Sequence, residues 1–221
     1  MHINQFIAQM TGISRRAADT EIKAGKVRIN GKIALPPDRV LDGDRVTYKG
    51  KEYQKNEVKT HTTIILHKPK GYITSRKRDE TGAPTVMELL PKELQQLRPV
   101  GRLDKESEGL LLLTDDGDFL YESTHPKFEI EKEYDVEFEN YVHEGLIAQW
   151  KKGVRLREGI AVADQVERTG RKKLRVIIHQ GMNRQIRRMG AEAGNAVIGL
   201  RRIRSGEHRL GTLRPGKWKK V

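Results

Sequence analysis

The 221-residue chain contains no cysteine, which excludes disulfides, thiolate metal sites and cysteine nucleophiles. Its seven histidines are scattered and form no metal-ligand spacing. No apolar run approaches the length that spans a bilayer, and the first residues, Met1-His2-Ile3-Asn4-Gln5, show no signal-peptide pattern. Internal repeats, low-complexity tracts and phosphate-cradling Gly-rich loops are also missing. A soluble protein in a reducing, cytoplasmic setting fits these absences. Hydrophobic residues at 36% and charged residues at 33% agree with a modest core under a large charged surface.

What is present in excess is positive charge, a net +13 that is unevenly placed. Residues 1–60 hold 12 Lys/Arg against 7 Asp/Glu, residues 61–167 hold 15 against 21, and residues 168–221 hold 16 against 2. Such segregation points to a polyanion, nucleic acid above all. A membrane surface fits less well, because the basic third breaks into short apolar stretches with Gly and Pro.

In the first fifty residues, Ile3, Phe6, Ile7 and Met10 form one helical stripe that Gly12 ends. Ser14 is placed to cap a second helix carrying Ala18 and Ile22 on one face. Val27–Ile29, Asn30-Gly31 and Lys32-Ile33 then predict a hairpin, since Asn-Gly suits a turn with positive φ at both central residues. A further strand is expected at 45–48. Arg15 and Arg16 stand in the first turn of the second helix, where the macrodipole disfavours cations, so a bound anion accounts for them better than local stability does. Arg28 and Lys32 flank the same hairpin. Polar residues 51–62 read as a linker to a second domain, 63–221.

That domain predicts strands at 63–67, 72–75, 110–113, 130–139, 154–156, 160–166 and 174–178, with helices at 85–97, 118–123, 143–152 and from Asn183 onward. Strands outnumber helices without alternating with them, so the expectation is an α+β domain on a mixed, largely antiparallel sheet flanked by helices. Strand 130–139 has a period of two, with Tyr134 inward and an acidic outer face. Gly101-Arg102-Leu103-Asp104 runs through a polar loop into four leucines, a strand buried on both faces. Asp104 there either caps a turn, pairs with Arg102 or Lys105, or does chemistry. Arg184, Arg187 and Arg188 are expected as one cationic cluster on a helix, which an anion or a buried carboxylate would neutralise. Leu200–Arg204 and the terminal segment extend the basic surface, with Trp218 free to pack or stack.

Two resemblances follow from these motifs. Residues 2–50 resemble the αL RNA-binding module of a small-subunit ribosomal protein, with Gln5 where that family often has lysine. Gly101–Asp104 with Gly109–Gly117, Lys132–Val136, Asn183–Met189 and Lys68-Pro69-Lys70-Gly71 together resemble the RsuA/RluB/RluE/RluF group of ribosomal RNA pseudouridine synthases. His67 departs from the usual Asn, and Gln180-Gly181-Met182 is most similar to the RluF branch. The resemblance implies isomerisation of uridine in ribosomal RNA, or in a ribosomal precursor particle, by a monomer without metal or cofactor. It implies Asp104 as catalytic carboxylate, Tyr134 stacked on the flipped uracil, Arg187 paired with Asp104, Arg102 as the wedge, and RNA contacts from Arg184, Arg188, Arg15, Arg16, Arg28 and Lys32. The alternatives are a non-enzymatic ribosome-assembly or translation-quality factor that only binds ribosomal RNA, and an enzyme of free nucleotides.

If Arg15, Arg16 and Arg28 contact phosphates, each change to Ala lowers the slope of log K against log salt by about one. Binding titrations across a salt series measure this, and an unchanged slope assigns the three arginines to plain solvated surface.

Overall fold

Strand β7 (Glu108–Thr114) has both faces covered, and the larger part of the molecule is built outward from it. The structure, a computed structural model, describes residues 1–54 and 61–221 and divides into two units, Met1–His61 and Thr62–Val221.

In the first unit, α1 (Ile3–Thr11) buries Ile3, Phe6 and Ile7 and ends at Gly12 in the left-handed region. Ser14 caps α2 (Arg15–Lys23) by accepting from the Ala17 amide at 3.1 Å, and Ala18 and Ile22 face the core. The hairpin β1 (Val27–Ile29) and β2 (Lys32–Ile33) turns through Asn30 and Gly31, both with positive φ as the Asn-Gly pair requires. β3 (Arg45–Tyr48) pairs antiparallel with β1. Lys51–Gln54, expected as the start of a linker, instead forms β4, which pairs antiparallel with β3. The rest of the expected linker, 55–60, lies outside the described residues, apart from His61 and Thr62.

The second unit begins with β5 (Thr63–Lys68), antiparallel along the whole of β7. The other edge of β7 is shared. β13 (Val197–Ser205) pairs with it in parallel at Glu108–Gly109, and β6 (Arg98–Val100) antiparallel at Leu112–Thr114. Beyond β13 lie β8 (Lys132–Phe138), β12 (Lys173–Ile178) and β11 (Gln165–Gly170), all antiparallel. β15 (Trp218–Lys220) closes the far edge on β5, and β14 (His208–Arg209) pairs with the end of β13. Leu111 and Leu113 join the main core under Trp150, Phe138 and Met189, while Leu110 and Leu112 join a smaller one with Ile65 and Leu210. The run of four leucines is therefore buried on both faces, as its composition required. Trp218 is partly buried against the main core. Helices α3 (Gly117–Thr124), α4 (Glu144–Lys152) and α5 (Gln185–Glu192) flank the sheet, and β9 (Val154–Leu156) pairs with β10 (Gly159–Ala161) beside it.

Several expectations give way. Residues 72–75 make a single bridge, Ile73 to Thr85, not a strand. The helix expected over 85–97 is two 3-10 turns, Val86–Leu89 and Lys92–Leu94, because Leu90 ahead of Pro91 is held in extended backbone. The strand expected over 160–166 divides into β10 and β11, with Asp164 between them accepting from the His179 amide at 2.7 Å. Helix α5 begins at Gln185 behind a left-handed Arg184, so Asn183 does not cap it.

The acidic face of β8 is not open to solvent as a charged stripe. Arg201 reaches Asp135 at 2.8 Å, Arg175 reaches it at 3.0 Å, and Arg204 bridges Glu133 and Glu131 at 2.9 Å each. A bulge makes this possible. Arg202 registers with Tyr134 and Arg204 with Glu133, so Ile203 is the extra residue and flips the alternation of β13. Arg201 and Arg204 thus both meet acids on the outer face, while Arg202 lies on the inner face beside Tyr134.

Gly109 sits with φ +111° where an added Cβ would lie 2.2 Å from the Arg202 carbonyl oxygen. Gly109→Ala therefore breaks the β7–β13 junction and lowers unfolding free energy by about 3 kcal/mol or more in denaturant titration. A loss below about 0.5 kcal/mol would show that the junction relaxes freely.

Candidate active site

The loop from Gly101 to Ser107 enters β7 and is held from three directions. Thr74 exchanges two hydrogen bonds with Leu103: its Oγ1 donates to the Leu103 carbonyl at 2.8 Å and accepts from the Leu103 amide at 3.1 Å. The Gly71 amide donates to the Lys105 carbonyl at 2.8 Å. Lys68, 0% exposed, donates from Nζ to the carbonyls of Ser107 at 2.6 Å, Pro69 at 3.1 Å and Lys105 at 3.4 Å. The Lys-Pro-x-Gly turn is thus a clasp on this loop. From the opposite side, Arg187 donates to the Glu106 carbonyl at 2.9 Å, to Ser107 Oγ at 3.2 Å and to the Val197 carbonyl at 3.0 Å.

Above the loop opens a cleft of about 400 Å³, bordered by Arg102, Asp104, Lys132, Tyr134, Arg184 and Arg202 among others. The Asp104 side chain is 26% exposed and lies 3.7 Å from the Arg184 guanidinium. Tyr134, 8% exposed, presents its ring from β8. Lys132, two residues before it on the same face, donates to the carbonyls of His179 at 3.0 Å and Ile130 at 2.8 Å. The wall from Gln180 to Gln185 is stiffened by paired amides: Gln185 donates to Gln180 at 2.9 Å, and Gln180 to the Ile160 carbonyl at 3.1 Å.

The three arginines of α5 do not form one cluster. Arg184, left-handed at φ 48°, stands before the helix and turns to Asp104. Arg187 grips loop backbone, so the ion-pair partner of Asp104 is Arg184 and not Arg187. Arg188 pairs with Glu158 and also donates to the Asn183 carbonyl at 3.0 Å. Arg102 is exposed at the cleft rim. Arg15, Arg16, Arg28 and Lys32 are all exposed in the first unit, Arg28 donating to the Gly31 carbonyl at 3.0 Å. Composition alone did not single out Lys68, Lys132 or Arg202. Arg202, expected on the basic surface, is buried on the cleft floor, where Nε donates to the Leu110 carbonyl at 2.7 Å.

Arg102, Lys132, Arg184 and Arg202 line the cleft against one carboxylate, Asp104. Burial pushes Lys68 down from the ordinary 10.5 to about 8, although Asp104, Glu106 and Glu108 pull the other way. Burial, then the charge of Arg202, pushes Lys132 down to about 8 as well. For Arg187, burial and Arg184 weaken the hold on the proton, and Asp104 and Glu106 oppose them. A carboxylate beside Arg184, a flat ring and several donors on one cleft can hold a planar, carbonyl-bearing anion and attack or deprotonate it.

Residues 62–192 match the RNA pseudouridylate synthase family, and residues 1–46 match the S4 domain. The chain belongs to the RNA pseudouridylate synthase family. A ribosomal large subunit pseudouridine synthase B of Bacillus subtilis is 35% identical over 90% of this chain and 83% of its own length. An uncharacterized RNA pseudouridine synthase of Aquifex aeolicus is 30% identical over 100% of this chain and 92% of its own. Over the full chain, a crystal structure of a pseudouridylate synthase superposes with a TM-score of 0.71 at 29% identity, covering 96% of that protein. The pseudouridylate synthase assignment bears out the expected α+β fold, enzymatic class and RNA substrate. These relatives lend no support to the narrower RluF likeness.

Lys68 makes stability depend on pH. Its folded-state pKa of about 8 lies below the unfolded 10.5, so across that window the unfolded chain binds the extra proton and stability rises with pH. Lys68→Met removes this dependence. The stability difference, wild type minus variant, rises by about 2 kcal/mol between pH 7.5 and 10. Denaturant titrations at both pH values measure it, and a constant difference removes Lys68 from the titrating groups.

Proposed function

We propose that this pseudouridine synthase isomerises a uridine of ribosomal RNA, with Asp104 as the catalytic carboxylate. The observation that carries the reading is the Asp104 carboxylate, facing the cleft at 3.7 Å from Arg184 and bordering the same space as Tyr134. The Asp104 carboxylate attacks the ribose, attacks the base or removes a ribose proton. In each route the N-glycosidic bond breaks, the uracil turns, and a carbon–carbon glycosidic bond forms as the C5 hydrogen leaves as a proton.

A stacked helix closes this chemistry off sterically, so the target nucleotide leaves the stack. Tyr134 receives the extruded uracil on its ring, and its hydroxyl assists removal of the C5 proton. Arg102 at the rim fills the gap left in the RNA. Arg187 acts through the loop backbone that carries Asp104, and Arg184 takes the ion-pairing role. The first unit anchors RNA phosphates through Arg15, Arg16, Arg28 and Lys32, and Arg188 adds to the basic wall. The ribosomal target draws support from the names of the relatives.

Asp104→Asn tests the assignment. The amide keeps the size of the carboxylate but neither attacks nor accepts a proton, so release of the C5 hydrogen from ribosomal RNA falls at least about a thousand-fold. RNA affinity stays within about two-fold, since binding draws on cations elsewhere. Near-wild-type hydrogen release, in a preparation free of host enzyme, would overturn the role of Asp104 and favour the RNA-binding assembly factor.

A further inference from the structure

Arg202 is the most deeply buried charged group on the cleft, at 4% exposure. Its Nε is committed to the Leu110 carbonyl at 2.7 Å. Among the described residues, neither Nη nitrogen has a hydrogen-bond partner, and neither is sealed from the cleft. No carboxylate pairs with this guanidinium among the described residues, although its strand neighbours Arg201 and Arg204 each hold one. A buried cation with idle donors is costly unless something arrives to accept from them.

Its position says what arrives. Arg202 and Tyr134 are direct partners across the antiparallel β13–β8 ladder, on one face of the sheet. Arg202 is therefore an immediate neighbour of any base lying on the Tyr134 ring. The bulge at Ile203 sends Arg202 inward while Arg201 and Arg204 go outward, so the residue is not a stray member of the ion-pair ladder. Lys132, two residues from Tyr134 on the same face of β8, borders the same cleft and is a second cation there. Both groups are donors only, and a guanidinium accepts from nothing.

We propose that Arg202 donates to O4 of the target uracil and is the residue that separates uracil from cytosine. O2 is common to the two bases and gives no discrimination. At position 4 cytosine carries an amino group instead of a carbonyl, and that donor would face the Arg202 donors with no acceptor between them. Rejection of this kind is strong where the site is dry and its polar groups have no other partner. The inference rests on the proposed stacking of uracil on Tyr134.

The test is a cycle between protein and RNA in the Asp104→Asn background, where binding is read without turnover. Three forms of one ribosomal RNA fragment, chosen because the wild-type protein releases its C5 hydrogen, carry uridine, cytidine or pyrimidin-2-one ribonucleoside at the target. The last lacks O4 and, like cytidine, carries N3 as an acceptor in place of N3–H, so the Arg202→Met arm isolates the contribution of O4. With Arg202 present, cytidine and the O4-less base each weaken binding by about ten-fold or more. With Arg202→Met the three RNAs bind within about two-fold of one another. Arg202→Lys, which keeps a donor-only cation on the floor, retains a preference for uridine.

An equal loss for all three RNAs on Arg202→Met, with the preference intact, assigns Arg202 to holding Leu110 and overturns the proposal. A fall in salt slope with the preference intact makes its ligand a phosphate, and also overturns it. The comparison of uridine with the O4-less base needs no change at Arg202, so it decides even if the variants fail to fold: equal binding removes the O4 contact. A wild-type protein that releases C5 hydrogen from no RNA sinks the proposed function and this inference together. Intact release without uracil preference sinks this inference alone.

Discussion

Buried cations bonded to main-chain carbonyls hold this site together. Lys68 takes the carbonyls of Pro69, Lys105 and Ser107, Arg187 those of Glu106 and Val197, and Arg202 that of Leu110. A carbonyl is a weaker partner than a carboxylate, but it leaves the charge of the cation largely uncancelled. The arrangement therefore does two things at once. It fixes the backbone of the loop that carries Asp104, and at Arg202 it leaves on the cleft a positive charge that a carboxylate partner would have quenched. The cost appears in Lys68 and Lys132, whose proton affinities fall to about 8 because burial disfavours their charge.

Rigidity at the loop follows from the same contacts. Loop backbone is ordinarily solvated, and a buried carbonyl without a partner is expensive. Here Ser107, at 1% exposure, begins the transition into β7 with its carbonyl on Lys68 and its hydroxyl on Arg187. Asp104, three residues earlier, has its own carbonyl on the Ser107 amide at 3.0 Å. The main chain that carries its carboxylate is thus held in a closed turn, which favours oriented chemistry. The gap on the edge of β7 between its β13 and β6 partners is where Arg202 enters, so the sheet topology and the cleft floor have one origin.

Much of this was legible from residue order. The run Leu110–Leu113 needed cover on both faces, and two separate cores provide it. Tyr134 was inward by period, and the Asn30-Gly31 turn followed from its residues. What escaped notice depended on single backbone conformations. A left-handed Arg184 breaks helical spacing at its first residue, so the arginines at 184, 187 and 188 diverge to a carboxylate, a loop and Glu158. One bulged residue, Ile203, reverses the alternation of β13, and no pattern in Leu200-Arg201-Arg202-Ile203-Arg204 announces it. Lys68 ends an apolar run and reads as the polar stop of a strand. Its burial comes from the loop folded over it, a contact 39 residues away in sequence.

Charge segregation along the chain takes a different meaning in three dimensions. The acidic middle and the basic last third meet across β8, β12 and β13, where Asp135, Glu133 and Glu131 neutralise Arg175, Arg201 and Arg204. Net charge by segment therefore overstates the cationic surface that an RNA meets. What stays unpaired falls into two kinds. Arg16, Lys32 and Arg102 are exposed and have no acidic partner among the described residues; water and salt screen them, and cations of this kind suit phosphate contacts, which carry no sequence information. Arg202 is buried on the cleft floor, and in the proposed reading its donors distinguish one base edge from another once the bound base displaces water from them. In the proposed reading affinity and base choice are thus carried by different cations, and the exposure of each one decides which of the two it serves.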